Sequence, residues 1–151
     1  MSVIHGDLIK LSLEGRFDVI VHGCNCLCRM GRGIAKSIRD NFPEAYNVDQ
    51  QTKQGERGKL GTYSMASVTR NNTLIIILNA YTQYSHTGDG VLVDYDAVTQ
   101  VFSRIKEEYS GMRIAYPKLG AGLARGDWNK ISGIINSALV GEDHTLVEYR
   151  E

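Results

Sequence analysis

The amino-acid sequence predicts an α/β domain in which a largely buried sheet lies between helices. Two apolar runs carry this prediction, residues 17–24 (FDVIVHGC) and residues 73–79 (TLIIILN). Both runs are nearly continuous and rich in β-branched side chains, which is typical of strands covered on both faces. Because stretches with helical periodicity alternate with such runs, we expect helices on both faces of one sheet.

Shorter patterns supply the remaining elements. Further strands are predicted at residues 3–7, 61–68, 113–116 and 145–149. Apolar residues spaced three and four positions apart predict helices, since this spacing places them on one helix face. The predicted helices span residues 33–42, a segment that starts at Pro43, residues 94–109, and a segment from 127 or 128 to 139. Pro43 both ends the first of these helices and suits the first turn of the second.

The length and charge of the chain limit its organisation and its partners. Its 151 residues predict a single domain over residues 1–151. The 17 Lys and Arg residues balance 17 Asp and Glu residues, so the formal net charge is zero. This balance argues against general nucleic-acid binding and against a polybasic membrane anchor.

The cysteines and the N-terminus predict a reduced, cytoplasmic protein. Cys24, Cys26 and Cys28 are too close together in the sequence to close a useful disulfide loop. The N-terminus lacks the apolar core of a signal peptide, and the longest apolar run, residues 74–78, is too short to span a bilayer. We therefore expect no membrane association.

Glycine is the compositional outlier, because the chain has 16 glycines where average usage of about 7% would give about 11. A first glycine loop, residues 28–35 (CRMGRGIA), and a second glycine loop, residues 117–128 (PKLGAGLARGDW), each follow a predicted strand and precede a predicted helix. Backbone N–H groups in such loops, together with the following helix N-terminus, can bind an anion. Either loop alone could be a tight strand-to-helix turn. Two of them at the carboxyl edge of one sheet favour a shared phosphate-binding crevice.

Three polar residues near strand ends are candidate functional residues, and each also has a structural interpretation. Asn25 could hydrogen-bond sugar hydroxyls or form a turn. Asp7 could accept a hydrogen bond from an exocyclic amino group or cap a helix. His22, within a predicted strand, could act as an acid–base group or be a buried core histidine.

The sequence predicts neither a metal site nor a cofactor. His22 and the three cysteines form H-x-C-x-C-x-C, a spacing that differs from the C-x₂-C pairs of zinc sites. The glycine loops do not match the P-loop, and the second lacks the usual setting of a dinucleotide-binding fingerprint. His86 and Asp89, in the loop at residues 84–91, could supply acid–base chemistry or be exposed loop residues.

Taken together, these motifs resemble those of macro domains, the family of ADP-ribose-binding α/β modules. The resemblance covers nearly the whole chain and rests on G-D-L at residues 6–8, VIVHGCN at 19–25, M-G-R-G-I-A at 30–35 and P-K-L-G-A-G-L at 117–123. It implies a three-layer α/β/α sandwich around a central mixed, mostly parallel sheet of about six strands. The most similar branch is the one that holds the fungal ADP-ribose 1″-phosphate phosphatase and the terminal ADP-ribose protein glycohydrolase.

The resemblance also implies where ADP-ribose would lie. The adenine amino group would contact Asp7, with the adjacent main chain at Leu8, and Asn25 would lie near the distal ribose. The first glycine loop would hold the distal ribose and the diphosphate, and the second would surround the phosphates. The residues implied to contact the ligand are Asp7, Leu8, Asn25, Met30, Gly31, Gly33, Ile34, Leu119, Gly120, Ala121, Gly122, Leu123 and Tyr149.

The sequence departs from the catalytic patterns of the family at two places. Ile34 and Ala35 stand where the commonest macro-domain hydrolases carry an Asp after the glycine run. Tyr81 or its neighbours, and Ala124, stand where the glycohydrolase branch has its Lys and its Asp. A mechanism through a lysine adduct is therefore not expected.

The function that the resemblance favours is hydrolysis of ADP-ribose 1″-phosphate to ADP-ribose and phosphate. Asn25 would orient the distal ribose or the attacking water, His22 would be the acid–base group, and Asp127 is an alternative to His22. Two other functions stay open: a non-catalytic ADP-ribose reader, and a hydrolase that removes ADP-ribose from modified proteins or nucleic acids. The expected partners are ADP-ribose, its 1″-phosphate and ADP-ribosylated macromolecules.

Overall fold

The computed structural model describes residues 1–150 and contains six strands and five α-helices. The strands are β1 (Ser2–Gly6), β2 (Val19–Asn25), β3 (Tyr63–Arg70), β4 (Thr73–Gln83), β5 (Ile114–Tyr116) and β6 (His144–Tyr149). The helices are α1 (Leu8–Leu13), α2 (Gly33–Asn41), α3 (Pro43–Gln50), α4 (Tyr95–Tyr109) and α5 (Trp128–Ala138). A short 3-10 helix at Arg57–Lys59 lies between α3 and β3.

The six strands form one sheet in the order β1-β6-β5-β2-β4-β3. All neighbouring strands are parallel except β3 and β4, which pair in antiparallel orientation. In the middle of the sheet, Val19 of β2 pairs with Ile76 of β4 on one side and with Ile114 of β5 on the other. The prediction of a mixed, mostly parallel sheet is confirmed. Because five of the six strands run in one direction, their carboxyl ends meet at one edge of the sheet.

Helices cover both faces of the sheet, and each face has its own apolar core. Helices α4 and α5 pack on one face, where Phe102 is fully buried. Helices α1, α2 and α3 pack on the other, where Ile38 is fully buried. Successive residues of β2 alternate between the two cores: Val19 and Val21 contribute to the first and Ile20 to the second. The predicted three-layer sandwich is therefore confirmed.

The sequence patterns missed helix α1 and part of β4. Helix α1 has only six residues, too few to show a helical period, and Asp7 caps it by accepting hydrogen bonds from the N–H groups of Ile9 and Lys10. Strand β4 continues to Gln83 instead of ending at Asn79, and the polar side chain of Thr82 is buried inside it. Because an apolar run defined the predicted strand, its polar continuation was not recognised. Within residues 1–150 no helix is long and apolar enough to cross a bilayer.

Candidate active site

The carboxyl edge of the sheet opens into a cleft with two parts. A cavity of about 610 Å³, the loop cavity, is lined by residues of both glycine loops. A second cavity of about 910 Å³, the edge cavity, lies beside the ends of β1 and β6. The two cavities share Gly33, Ile34, Pro117 and Lys118. A continuous cleft of this size can hold an elongated ligand that carries several chemical groups.

Asn25 lies at the end of β2, where the pairing of β2 with β4 is interrupted. The register shifts between Cys24 and Asn25, and such a bulge re-aims the side chains that follow it. Asn25 Nδ2 donates to the carbonyl oxygen of Arg29 (2.9 Å), and Asn25 Oδ1 accepts from the N–H groups of Leu27 (3.0 Å) and Arg29 (3.3 Å). Asn25 also lines the loop cavity. The structure therefore places this residue both in a turn and on the wall of the cleft.

Polar side chains from α3 and from the segment after it donate hydrogen bonds to carbonyl groups in and just before the first glycine loop. Gln50 Nε2 donates to the carbonyl oxygen of Cys28 (2.8 Å), and Lys59 Nζ donates to that of Cys26 (3.1 Å). Lys59 is only 8% exposed, and its ammonium group lies 4.6 Å from the centroid of the Tyr81 ring. Cys28 has a φ of 58°, in the left-handed region that most residues avoid. These hydrogen bonds stabilise a loop shape that the backbone alone disfavours.

The start of α2 offers backbone donors next to open space. Arg32 is the N-cap residue and makes no capping hydrogen bond through its side chain. Within residues 1–150, the N–H groups of Gly31, Arg32 and Gly33 have no hydrogen-bond acceptor. A Cβ atom placed on Gly31 would meet no other atom within 4 Å. Free donors at the positive end of a helix dipole are suited to binding an anion.

The glycines of the second loop have two different roles. A Cβ on Gly126 would lie 2.5 Å from both the Gly120 carbonyl oxygen and Val93 Cγ1, and a Cβ on Gly120 would lie 2.9 Å from Val93 Cγ2. These two glycines let the loop fold back on itself, where the Gly126 N–H donates to the Gly120 carbonyl (2.7 Å). By contrast, a Cβ on Gly122 would meet nothing within 4 Å. Gly122 therefore leaves room for a ligand, as Gly31 does in the first loop.

The edge cavity combines a carboxylate with an exposed aromatic ring. Asp7, Leu8 and Tyr149 line it. Asp7 uses Oδ1 to cap α1, whereas its Oδ2 takes part in no hydrogen bond within residues 1–150. Tyr149 is 73% exposed at the end of β6 and offers a flat ring face. A free carboxylate oxygen near an aromatic ring suits a planar heterocycle that carries an amino group.

Most residues predicted to contact a ligand line one of the two cavities. They are Asp7, Leu8, Asn25, Met30, Gly31, Gly33, Ile34, Leu119, Gly120, Gly122, Leu123 and Tyr149. Ala121 is the exception. Its N–H donates to the carbonyl of Lys118 (3.2 Å), and its side chain packs against the core beneath the second loop. The structure therefore shows a packing role for Ala121, and its contact with a ligand stays a prediction.

His22 lies in the core and lines neither cavity. Its Nε2 donates to Asn79 Oδ1 (2.6 Å), and Asn79 Nδ2 donates to Ser64 Oγ (3.0 Å). The network continues through Tyr81, whose hydroxyl lies 2.8 Å from Ser64 Oγ and donates to Asp49 Oδ1 (2.7 Å). Burial lowers the pKa of His22 to about 4, although the hydrogen bond to Asn79 opposes the shift. The predicted acid–base role is therefore corrected: His22 is a neutral core residue without access to a ligand.

Asp127, the predicted alternative to His22, is a helix cap. Its Oδ1 accepts from the N–H of Asn129 (2.9 Å) at the start of α5, and its own N–H donates to the hydroxyl of Tyr95 (3.0 Å). It lines neither cavity. This placement corrects the prediction that Asp127 could exchange protons with a ligand.

The loop cavity is cationic although the chain as a whole is neutral. Its lining includes no Asp or Glu and contains four basic residues, Arg29, Arg32, Arg39 and Lys118, of which Lys118 pairs with Glu148 (2.9 Å). The guanidinium of Arg39 lies 4.0 Å from the centroid of the Tyr46 ring, which also lines the cavity. A cleft lined by one sign of charge attracts ligands of the opposite sign. Within residues 1–150, no three His, Cys, Asp or Glu side chains form a group that could hold a metal ion.

Sequence reasoning did not select these cations. The available signal was the pair of arginines interleaved with the glycines in C-R-M-G-R-G. Gln50, Gln83 and His86 also line the loop cavity and were not chosen as ligand contacts. They come from segments far from the glycine loops in the sequence, so only the fold brings them to the cleft.

Two glycine loops at the strand ends of this three-layer α/β/α sandwich surround a cleft lined by basic residues. This arrangement is typical of modules for phosphate-containing ligands. The chain belongs to the macro domain family, since the model of the Macro domain family matches residues 21–135. It is similar to a 17.5 kDa protein of enterobacteria phage T4 from the tk-vs intergenic region, with 32% identity over 142 residues, 91% of this chain and 88% of that protein.

Two further similarities are to a named enzyme and to a solved macrodomain structure. The ADP-ribose glycohydrolase OARD1 of Bos taurus is 26% identical over 153 residues, and the match covers 99% of this chain and 90% of that protein. Among solved structures, the macrodomain of Mycobacterium tuberculosis DarG superimposes with a TM-score of 0.76 at 22% identity, covering 99% of this chain and 97% of that chain. The second similarity concerns the fold alone.

Proposed function

We propose that this protein binds ADP-ribose in the cleft and hydrolyses ADP-ribose 1″-phosphate to ADP-ribose and phosphate. The similarity to a protein named an ADP-ribose glycohydrolase supports ADP-ribose as the ligand and hydrolysis as the reaction class. The observation that carries the finer assignment is the charge of the loop cavity, whose lining has no acidic residue and includes Arg29, Arg32 and Arg39, none of which forms an ion pair within residues 1–150. A terminal phosphate adds roughly 1.5 to 2 negative charges to the ligand, and these cations could compensate them.

The shape and chemistry of the cleft suggest how the ligand lies. The adenine ring occupies the edge cavity, where Asp7 Oδ2 accepts from its amino group and Tyr149 stacks on the ring. The diphosphate crosses the wall shared by the two cavities, next to the free N–H groups at Gly31 and Gly33. The distal ribose and its terminal phosphate lie in the loop cavity beside Asn25.

Hydrolysis requires a water molecule to attack phosphorus while the bond to the ribose 1″ oxygen breaks. Arg32 and the free backbone donors of the loops stabilise the charge on the phosphoryl oxygens. Asn25 fixes the ribose so that the leaving oxygen lies opposite the water. His86 lines the loop cavity, so it is the imidazole available to transfer a proton to the leaving oxygen. His86 thus takes the acid–base role predicted for His22, which is buried and cannot reach the ligand.

Phosphate release from ADP-ribose 1″-phosphate, measured over a range of substrate concentrations, tests this proposal. We expect Arg32→Gln to lower kcat/KM roughly tenfold, because one cation near the terminal phosphate is lost. Lys36→Gln is the matched control. Lys36 lies four positions further along the chain, its side chain is 60% exposed, it pairs with Asp40, and it does not line the loop cavity. Equal kcat/KM values for the two variants would contradict the charge argument.

A non-catalytic reader is the second candidate function, and a specific observation favours it. Tyr81 is buried with its hydroxyl bonded to Asp49, and Ala124 presents only a methyl group to the loop cavity. The positions at which related hydrolases were expected to carry Lys and Asp therefore supply no reactive group. A reader would bind ADP-ribose in calorimetry and return the 1″-phosphate unchanged. Release of ADP-ribose from a modified protein or nucleic acid would instead support a hydrolase that removes ADP-ribose from macromolecules.

A further inference from the structure

One ion pair lies where the two cavities of the cleft meet. Four residues line both cavities: Gly33, Ile34, Pro117 and Lys118. Of these four, only Lys118 has a charged side chain. Its ammonium group lies 2.9 Å from Glu148 Oε1, and Glu148 lines the edge cavity. A ligand that extends from one cavity into the other therefore passes this ion pair.

The sheet places both members of the pair and gives Glu148 a second partner. β5 and β6 are parallel neighbours in which Tyr116 pairs with Leu146. Lys118 and Glu148 each lie two residues further along the chain, toward the carboxyl edge. On the other side of β6, His5 of β1 is the direct neighbour of Glu148, and its Nε2 lies 3.2 Å from Glu148 Oε2. Because each carboxylate oxygen has its own partner, Glu148 keeps one of them if the ammonium group of Lys118 moves away.

The ammonium group of Lys118 can be drawn to a stronger partner than Glu148. Lys118 holds the pKa of Glu148 below its ordinary value, so this carboxyl group is charged at neutral pH. The side chain of Lys118 is 49% exposed, and ion pairs at such positions contribute little because water screens them. A diphosphate carries a negative charge on each phosphate and accepts charge-assisted hydrogen bonds from lysine. A diphosphate at the junction therefore competes with Glu148 for the ammonium group.

From this arrangement we infer that Lys118 exchanges Glu148 for the diphosphate of the ligand, and that Glu148 is a positioning residue that limits the affinity of the cleft. The inference rests on the proposed function, in which the diphosphate crosses the wall shared by the two cavities. Before the ligand arrives, Glu148 holds the ammonium group, so part of the binding free energy is used to separate the pair. Because substrate and product both contain the diphosphate, the exchange weakens the binding of both and leaves the chemical step unchanged.

Calorimetric titration of ADP-ribose into the full chain and three variants tests the exchange. Lys118→Gln is expected to weaken binding roughly tenfold, because the cation at the diphosphate is lost. Glu148→Gln is expected to strengthen binding roughly threefold, a gain that damage to the structure would not produce. In the Lys118→Gln protein, the same change at Glu148 is expected to alter binding by less than about twofold. An equal gain in both backgrounds would mean that Glu148 repels the ligand directly, and it would overturn the exchange.

Glu108→Gln is the matched control for the change in charge. Glu108 pairs with Arg104 on α4 through side chains that are 41% and 46% exposed, and it lines neither cavity. Its replacement is expected to leave the affinity for ADP-ribose unchanged. A gain as large as that of Glu148→Gln would show that affinity follows the net charge of the chain, and the role of Glu148 would be wrong. Unchanged or weaker binding by Glu148→Gln would also overturn the inference.

Inorganic pyrophosphate separates this inference from the proposed function. This probe has two linked phosphates without adenosine or the distal ribose, and the backbone N–H signals of Gly33 and Lys118 report its binding in NMR titrations. We expect Glu148→Gln to strengthen its binding and Lys118→Gln to weaken it. If pyrophosphate shows this order but ADP-ribose does not bind, the proposed function fails and the exchange stands. If ADP-ribose binds and neither variant changes its affinity, the exchange fails and the proposed function stands; if the wild type binds neither probe, both fail.

Discussion

The two glycine loops line the same cavity, but different interactions hold them in shape. Polar side chains from another part of the chain support the first loop: Gln50 and Lys59 donate to its carbonyl groups or to those just before it, and Asn25 bridges its backbone. The second loop is held by close packing of its own backbone. Gly126 and Gly120 allow contacts with Val93 that no side chain would permit.

This difference means that the two loops should respond differently to substitution. A packed backbone has no alternative arrangement when an atom is added, so a small change at a packing glycine should destabilise the whole fold. A loop held by several side-chain hydrogen bonds can lose one of them and keep most of its shape. Changes in the first loop should therefore affect ligand binding more than stability.

Gly126→Ala is expected to have the largest effect. Its Cβ would lie 2.5 Å from the carbonyl oxygen of Gly120 and 2.5 Å from Val93 Cγ1, so the second loop must shift. We expect the free energy of unfolding to fall by about 3 kcal/mol, as in other overpacked sites. Urea denaturation followed by circular dichroism measures this change.

Gly122→Ala is the matched control for that variant, since both positions lie in the second loop and both changes add one methyl group. A Cβ on Gly122 meets no atom within 4 Å, so we expect a stability change below about 0.5 kcal/mol. The same methyl group would stand in the loop cavity and weaken binding of ADP-ribose. Similar losses of stability in the two variants would show that the glycines do not have separate roles.

Much of the fold follows from local patterns in the sequence. The continuous apolar run of β2 predicted a strand buried on both faces, and its residues do alternate between the two cores. The predicted glycine loops lie at the shared carboxyl edge because parallel strands end there. Helix α1 was missed because a helix of six residues is too short to show a period, and its signal, the Asp7 cap, also fits a turn.

The site could be predicted only where it is contiguous in the sequence. Asn25 and the glycines were found because they directly follow strands, whereas Gln50 and Lys59 come from α3 and the segment after it. His22 was misassigned for a physical reason. A histidine in an apolar strand next to Asn25 fits either a catalytic or a core role, and only its hydrogen bond to the buried Asn79 decides between them.

The pH dependence of stability tests the polar network beneath the first loop. Burial depresses the pKa of His22 to about 4, below its ordinary value of 6.5. As pH falls below 6.5, His22 becomes protonated in the unfolded chain but stays neutral in the folded protein. Stability is therefore lost between pH 6.5 and pH 4. We expect this group to cost about 2 kcal/mol of stability between pH 7 and pH 5, as measured by urea denaturation at the two values.

His22→Gln removes this titration while keeping an amide that can donate to Asn79. Between pH 7 and pH 5, the variant should therefore lose about 2 kcal/mol less unfolding free energy than the wild type. A smaller dependence should remain from His144, whose pKa burial also lowers. Phosphate release at pH 7 should be nearly unchanged, because His22 does not line the cleft. Equal pH dependence in the two proteins, or a large loss of activity in the variant, would return His22 to the list of acid–base candidates.

Gln50→Ala is expected to have a small effect on stability and a clear effect on binding. The Gln50 side chain is exposed and donates a hydrogen bond to the carbonyl of Cys28. We therefore expect the free energy of unfolding to fall by about 1 kcal/mol or less. Cys28 has a left-handed backbone conformation, which relaxes more easily once this bond is absent. The free loop then samples shapes that do not bind, and calorimetry should show a several-fold weaker affinity for ADP-ribose.

Gln54→Ala is the control, because Gln54 lines the same cavity but makes no hydrogen bond to the loop within residues 1–150. If both variants weaken binding equally, Gln50 acts by contact with the ligand; if only Gln50→Ala does, the side chain acts by holding the loop.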